Sequence, residues 1–360
     1  MKKLQFCLVA ASVLLFAVSL FAQVQNGQFT GVITDPSGAA IPNAKVSVTN
    51  MGTNLSVSTT TNSSGTYIVK ELPVGTYKIT AEAQGFKTRT DSNLALNAGV
   101  IQRVDLHMEM GQAREVVEVS GEAAVINTED SKLANTVTST QVANLPLNGR
   151  NIYDLMLLSP GAVNNGVGGD RGKTSEQGPT TIVNGTRQNF NGFLINGVSN
   201  KDLSGGPNNT PVEDSIQEFQ QLTLNMSAQY GNSAGSVTNL ITKAGTNNWH
   251  GSAWEFLRND KLDANNFFLN HQSVSRPPLR FNQFGATFGG PIVKNKLFFF
   301  ASYQGDRFKT VQPPTPVEQE SPEWRAAIAS FAPDSVANLL YKNFAPLTPG
   351  TTPTSLNQYA

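Results

Sequence analysis

Apolar and polar residues alternate in short runs from Gly27 to about Met110. Val46 and Val48 alternate with Ser47 and Thr49. Tyr77, Ile79 and Ala81 alternate with Lys78, Thr80 and Glu82. Val104, Leu106 and Met108 alternate with Arg103, Asp105 and His107. A period of two puts one set on a buried face and the other in water, as in the strands of an antiparallel sandwich. Turn clusters separate the runs: Asp35-Pro36-Ser37-Gly38, Asn62-Ser63-Ser64-Gly65, Pro73-Val74-Gly75 and Gln84-Gly85. The spacing predicts a seven-strand β-sandwich with His107 on its wet face.

From Gly111 to Gly245 the pattern mixes periods, as in a small α+β domain. Thr210-Pro211-Val212-Glu213 has a capping-box layout, with Val212, Ile216 and Phe219 following at helical spacing. It predicts a helix there. A second, short helix is predicted over Ile152–Leu158, ended by Pro160-Gly161. Asn148-Gly149, Asn184-Gly185 and Asn196-Gly197 predict tight turns between short strands. Ser236–Thr242 reads as a strand from its β-branched alternation.

The last block is aromatic, holding more than half of the 20 Phe. Strands are predicted over Gly251–Arg258, Phe281–Gly289 and Leu297–Tyr303. Phe284, Ala286 and Phe288 alternate with Gln283, Gly285 and Thr287, apolar outside and small or polar inside. That is the dyad rhythm of an outer-membrane strand. Taken alone, the block reads equally well as a soluble β-domain. The proline-rich tail from Val311 reads as a loop.

The extreme N-terminus sets the compartment. Lys2 and Lys3 precede an apolar run from Leu8 to Ala22, the layout of a secretory signal peptide cut between Ala22 and Gln23. The single Cys, Cys7, leaves with it. No later apolar run has the length of a membrane helix, so later membrane contact falls to strands.

Composition removes several function classes. Lys plus Arg and Asp plus Glu number 26 each, a balance that argues against nucleic-acid binding. One Cys, with His107, His250 and His271 far apart, offers no metal-ligand spacing. Gly231-Asn232-Ser233-Ala234-Gly235 satisfies G-x-S-x-G, but a nucleophile elbow needs a strand before Ser233 and a helix after it. The segment reads as a turn before a strand. Gly166, Gly168, Gly169 and Gly172 are too loosely spaced for a dinucleotide loop. Glu129 and Asp130 are surface charges with no facing carboxylate. The chain is expected to be no enzyme and to hold no cofactor.

Two stretches carry family resemblances. GVITDPSGAAIPNAKVSVTN and TNSSGTYIVKELPVGTYKITAEAQGF resemble the carboxypeptidase-regulatory-like domain, a transthyretin-like sandwich grouped with carbohydrate-binding-like folds. Its signature stands here as Gly65, Tyr67, Leu72, Pro73, Gly75 and Tyr77. The zinc-binding cluster of a carboxypeptidase is absent. LPLNGRNIYDLMLLSPGAV, TIVNGTRQNFNGFLINGVSN and VEDSIQEFQQLTLNMSAQYGNSAGSVTNLITKAGTN resemble the plug of Oar-like TonB-dependent outer-membrane receptors. Asn196 stands where plugs usually have Asp, and both residues suit the turn. HGSAWEFLRND, FNQFGATFGGPIV and KLFFFASYQGDR resemble the first barrel strands of that group.

The resemblances imply a multidomain chain: signal peptide 1–22, β-sandwich 23–110, α+β plug 111–245, and the start of a transmembrane β-barrel, 246–360. They imply an outer-membrane receptor that takes up an unidentified ligand, a carbohydrate or a peptide, and works with a TonB-type energy-coupling partner in contact with outer-membrane lipid. Glu115, Val116, Val117, Glu118 and Val119 form an extended, β-branched segment suited to strand addition by that partner. A plain linker strand is the alternative for this segment. The rival for the whole chain is a secreted surface adhesin using the sandwich to bind carbohydrate. With three strands after the plug, the chain is expected to be the N-terminal piece of a longer receptor.

Overall fold

The computed structural model describes residues 26–111, 116–120, 132–164, 181–265, 267–310 and 322–343. The cleavage site at Ala22 and Gln23, Glu115, Glu129, Asp130 and Gly166 to Gly172 lie outside them.

The N-terminal domain contains β1 (Gly27–Thr34), β2 (Lys45–Asn50), β3 (Ser56–Thr60), β4 (Thr66–Leu72), β5 (Gly75–Glu82), β6 (Thr88–Leu96), β7 (Ile101–Arg103), β8 (Leu106–His107) and β9 (Val116–Ser120). One sheet runs β4-β1-β7 with β8 also on β1, and the other runs β3-β2-β5-β6-β9. The alternating residues meet between the sheets: Phe29, Ile33, Val46, Val48, Tyr67, Tyr77, Ile79, Leu96 and Met108 share one buried cluster. Phe29 packs edge-on against Tyr77, with ring centroids 5.7 Å apart. Gly65 sits at φ 71, where L side chains are strained, and an added Cβ would come within 2.7 Å of the Ile33 carbonyl. The antiparallel expectation needs correcting: β1 pairs in parallel with β7 and β8, and β6 with β9. After β6 the chain crosses to the other sheet, so it returns alongside β1 in the same direction.

The two signature tyrosines bury their rings and bond their hydroxyls. Tyr67 donates to the Val104 carbonyl at 2.7 Å and Tyr77 to the Pro73 carbonyl at 2.6 Å. Burial pushes both phenols above the usual range. Tyr77→Phe keeps the packing and orphans one carbonyl, so it should lower the domain's stability by about 1 kcal/mol. The urea midpoint of residues 26–120 expressed alone measures this, and an unchanged midpoint would refute it.

The middle domain contains β10 (Leu133–Thr138), α1 (Ser139–Asn144), β11 (Ala162–Asn164), β12 (Thr181–Val183), β13 (Gly192–Ile195), β14 (Val198–Ser199), β15 (Ile216–Leu224) and β16 (Val237–Thr242). Its main sheet runs β10-β15-β16-β13-β14. The helix predicted over Ile152–Leu158 is a 3-10 helix whose Ile152, Tyr153, Leu155 and Met156 enter the core. Asn196 and Gly197, both at positive φ, turn β13 into β14.

The helix predicted from Thr210 does not form. A 3-10 turn at Glu213–Ser215 leads directly into strand β15. Val212, Ile216 and Phe219 fit helical spacing, but β15 lies between β10 and β16 and is buried on both faces, polar residues included. Its register also shifts between Ile216 and Glu218. Sheet pairing on both edges overrides the local capping signal.

The third part is a sheet of β17 (His250–Asn259), β18 (Leu279–Val293) and β19 (Leu297–Thr310), in that order. All three strands exceed the predicted bounds. At 15 and 14 residues, β18 and β19 exceed the ~9–11 that a tilted strand needs to cross a bilayer. On β18, Phe281, Gln283 and Thr287 are buried while Ala286, Phe288 and Ile292 are exposed. The described residues of 263–278 and of 310 onward belong to a second compact unit. It holds α2 (Phe267–His271), α3 (Pro322–Phe331) and α4 (Val336–Asn343). The tail read as a loop therefore contains two helices. Pro322 stands at the first position of α3, where its fixed φ and missing N–H are tolerated, and an alanine-rich run follows.

Candidate functional site

One half-buried cation joins the middle domain to the strand sheet. Asn148–Arg150 forms a 3-10 turn with Gly149 at φ 65 and Arg150 at φ 54, a left-handed pair that is uncommon for an arginine. The Arg150 Nε donates to Glu213 Oε2 at 3.0 Å, and its Nη2 bonds the Asp214 carboxylate. The guanidinium carbon lies 4.3 Å from the Phe256 ring centroid and 5.3 Å from that of Trp254, both on β17. Beside it, Arg258 Nη1 donates to Asn148 Oδ1 at 3.3 Å. The fork thus meets two carboxylates of its own domain and two aromatic faces of the sheet.

The sheet is shaped for this clasp. Trp254 pairs with Gly285 on β18, and a Cβ there would fall 2.4 Å from the indole Cζ2. Glu213 is only 6% exposed. Burial pushes its carboxyl above the usual range, outweighing the Arg150 charge that pulls it down. Two carboxylates and one guanidinium in such a setting are a grip whose breakage is expensive, not a proton-transfer pair.

A cleft of about 520 Å³ opens on the middle domain, lined by Arg187, Gln188, Asn189, Asp202 and Ser204–Pro207 among others. Asp202 shapes its rim by accepting from the Ser204 hydroxyl at 2.8 Å and the Gly206 N–H at 2.9 Å, bonds that hold its carboxyl below the usual range.

The residues singled out in the sequence fall elsewhere. Val116, Val117, Glu118 and Val119 lie in β9, the terminal strand of the larger sandwich sheet, aligned in parallel with Thr88, Arg89, Thr90 and Asp91. Ser233 follows the 3-10 turn Ala228–Tyr230 and precedes β16, so the strand-turn-helix of a nucleophile elbow is not present around it. His107 is on the surface, its Nδ1 2.7 Å from the Thr34 hydroxyl. Among the described residues no three His, Cys, Asp or Glu side chains converge as a metal site. Arg150, Glu213, Asp214, Trp254 and Phe256 carry no site expectation from the sequence. Their one sequence signal was an arginine inside an Asn-Gly turn and an acidic pair that also suits a helix start.

Comparison with known proteins defines the class. Residues 28–109 match the carboxypeptidase regulatory-like domain and residues 241–359 the outer membrane beta barrel domain. The chain is therefore an outer-membrane protein, a mostly β chain with a regulatory-like sandwich at its N-terminus and barrel strands after its middle domain. More particularly, it is similar to the TonB-dependent transporter Oar of Myxococcus xanthus, 27% identical over 310 residues, covering 82% of this chain and 28% of that one. The chain thus spans little more than a quarter of that relative's length. Among solved structures, it is similar to the siderophore receptor PirA from Acinetobacter baumannii, with 23% identity and a TM-score of 0.37, covering 49% of this chain and 24% of that one. The siderophore receptor PirA from Pseudomonas aeruginosa gives 18% identity and a TM-score of 0.34, covering 49% and 28%. Among the described residues no helix is long and apolar enough to cross a membrane.

Proposed function

We propose that the chain belongs to a TonB-dependent outer-membrane receptor, with the middle domain as its plug and β17–β19 as the first strands of its barrel wall. The carrying observation is the Arg150 clasp, which seats a folded domain on the inner face of the strands. The similarity to a TonB-dependent transporter across most of the chain supports the same reading.

Topology supplies the orientation. β18 and β19 are joined by a short turn at Lys294–Lys296, whereas β17 and β18 are joined through residues 260–278. Outer-membrane barrels have short turns on the periplasmic side and long loops outside. β16 runs toward the short-turn end, where the chain enters β17, and β13 is parallel to it. Residues 187–189 precede β13, so the cleft they line faces the outer end, where a ligand arrives. The sandwich lies at the inner end, and β9 there presents a terminal strand to an energised partner that binds by strand addition. A signal peptide ending at Ala22 would deliver the chain, and the ligand class stays a carbohydrate or a peptide.

The test is accumulation of labelled ferric siderophores, oligosaccharides and peptides by cells with and without the full-length receptor. At least one should accumulate only with the receptor and only while the proton-motive force is intact. Identical uptake across the whole panel after deletion, or after collapse of the force, would overturn the reading.

A further inference from the structure

Two loops of the N-terminal sandwich are bonded to the parts that follow it. The first is the turn between β6 and β7. Ala98 in this turn is 0% exposed. Its N–H donates to Glu218 Oε1 and Oε2, each at 3.3 Å, and its carbonyl accepts from Gln220 Nε2 at 2.8 Å. Glu218 and Gln220, two apart on the inner strand β15, are 2% and 4% exposed. A carboxylate and an amide in such a place need partners, and a residue some 120 positions earlier supplies them. The face of β15 is therefore built to be covered by the sandwich.

The second loop lies between β2 and β3. The Gly52 carbonyl accepts from the Asn247 N–H at 2.8 Å, and Asn54 Nδ2 donates to Asn295 Oδ1 at 3.0 Å. Asn295 is in the β18–β19 turn and is tied to Asn247 in both directions, N–H to Oδ1 and Nδ2 to Oδ1, each at 2.8 Å. One loop thus holds an inner strand of the middle domain. The other holds the turn of the wall and the segment that links domain to wall.

We infer that the sandwich is a clamp, which holds the middle domain closed against the wall through these two loops and must release both before that domain can move. The inference rests on the receptor reading for what the movement accomplishes. It adds where the force enters: a pull on β9 acts on the sandwich through the β6–β9 ladder, and the sandwich passes it to β15 and to the wall turn together. The grip is a few hydrogen bonds on two loops, with the large apolar cores lying on either side of it. Such a joint opens while the domains it connects stay folded.

A disulfide tests this directly, because the only Cys in residues 1–360 is Cys7. A Cβ placed on Gly52 lies 3.7 Å from Thr246 Cβ, within the span of a disulfide. Gly52→Cys with Thr246→Cys in the purified full-length receptor should therefore cross-link on mild oxidation. Hydrogen exchange at the Ala98 amide and over Ile216–Leu224 should then slow about tenfold or more, and recover on reduction. Asn54→Gly removes the amide bond to Asn295 while easing a left-handed residue (φ 59), and it should speed exchange at Ala98, on the other loop, about tenfold. A merely local contact would leave Ala98 unmoved. Failure to cross-link in a full-length receptor whose barrel is heat-modifiable, or exchange indifferent to the disulfide and to Asn54→Gly, would overturn the clamp. Neither readout uses transport, so the uptake assay and this one fail independently.

Discussion

Arg150→Ala is expected to loosen the middle domain by about 3–5 kcal/mol, the scale for removing one partner from a buried ion cluster. The reason is what stays behind. Glu213 and Asp214 keep their places in the turn before β15, and Glu213 loses the charge that was drawing its carboxyl down. Trp254 and Phe256 lose the guanidinium that lay over their rings. Protection of the Ile216–Leu224 amides should fall about a hundred- to several thousandfold. Arg150→Lys should recover little, because an ammonium cannot fork between two carboxylates and lie flat on two rings. Arg150→Met combined with Glu213→Gln and Asp214→Asn should recover most of the loss, since no charge is then stranded. The defect of Arg150→Ala should shrink in acid, where Glu213 takes up a proton and the burial of its charge ends. Unchanged protection in Arg150→Ala would show that the clasp holds nothing.

What was legible in the sequence followed from single-element patterns. Val46, Val48, Tyr77, Ile79 and Ala81 lie in the sandwich core because a half-buried strand writes its burial as alternation. Gln283 and Thr287 face inward and Phe288 outward for the same reason. The reading broke down where burial came from a second domain. β15 carries Glu218, Gln220 and Gln221 inside, so neither of its faces looks apolar. What remained visible was the helical spacing of Val212, Ile216 and Phe219, which imitates a helix. Gln221 Oε1 accepts from the Ser159 hydroxyl at 2.7 Å and the Glu218 carboxyl from the Ala98 N–H, partners that no local window contains.

The same limit hid the clasp and the clamp. Arg150 and Glu213 are 63 residues apart, and Asn54 and Asn295 are 241 apart. Each looks in sequence like an ordinary turn residue. The segment Glu115–Val119 was legible as an extended strand but not as one with a place in the sandwich. Its β-branched run suits any free sheet edge, and β6 offers one. Cross-domain contacts carry the coupling in this chain, and they are made mostly by Asn, Gln, Glu and Arg. Hydrophobic periodicity finds the domains and is blind to the joints.

Raising the pH from 5 to 8 is expected to loosen the Ala98 turn from β15. Burial pushes the Glu218 carboxyl up to about 7 from an ordinary 4.5, against the Ala98 N–H that lowers it. Across the sheet Glu218 faces Thr138 on β10 and Ile241 on β16, and neither they nor Ala98 carries a charge. When the sandwich lifts away, water reaches the carboxyl and its affinity for a proton falls back toward the ordinary value. The docked form therefore binds the proton more tightly. Its contribution to docking is complete below about 4.5 and is lost as the pH rises through about 7. The linkage between those two values is about 3 kcal/mol as an upper bound. Exchange at the Ala98 amide, corrected for the intrinsic pH dependence of exchange, should accelerate between pH 5.5 and 8 by one to two decades at about 1.4 kcal/mol each. Glu218→Gln keeps an acceptor for the Ala98 N–H and has nothing to titrate, so it should stay docked with a flat profile. A flat profile in the unaltered chain, or the same slope in Glu218→Gln, would assign the pH response to another group. The clamp is then firmest in acid, and its release near neutral pH needs less pull from β9 because the carboxylate already favours water over the interface.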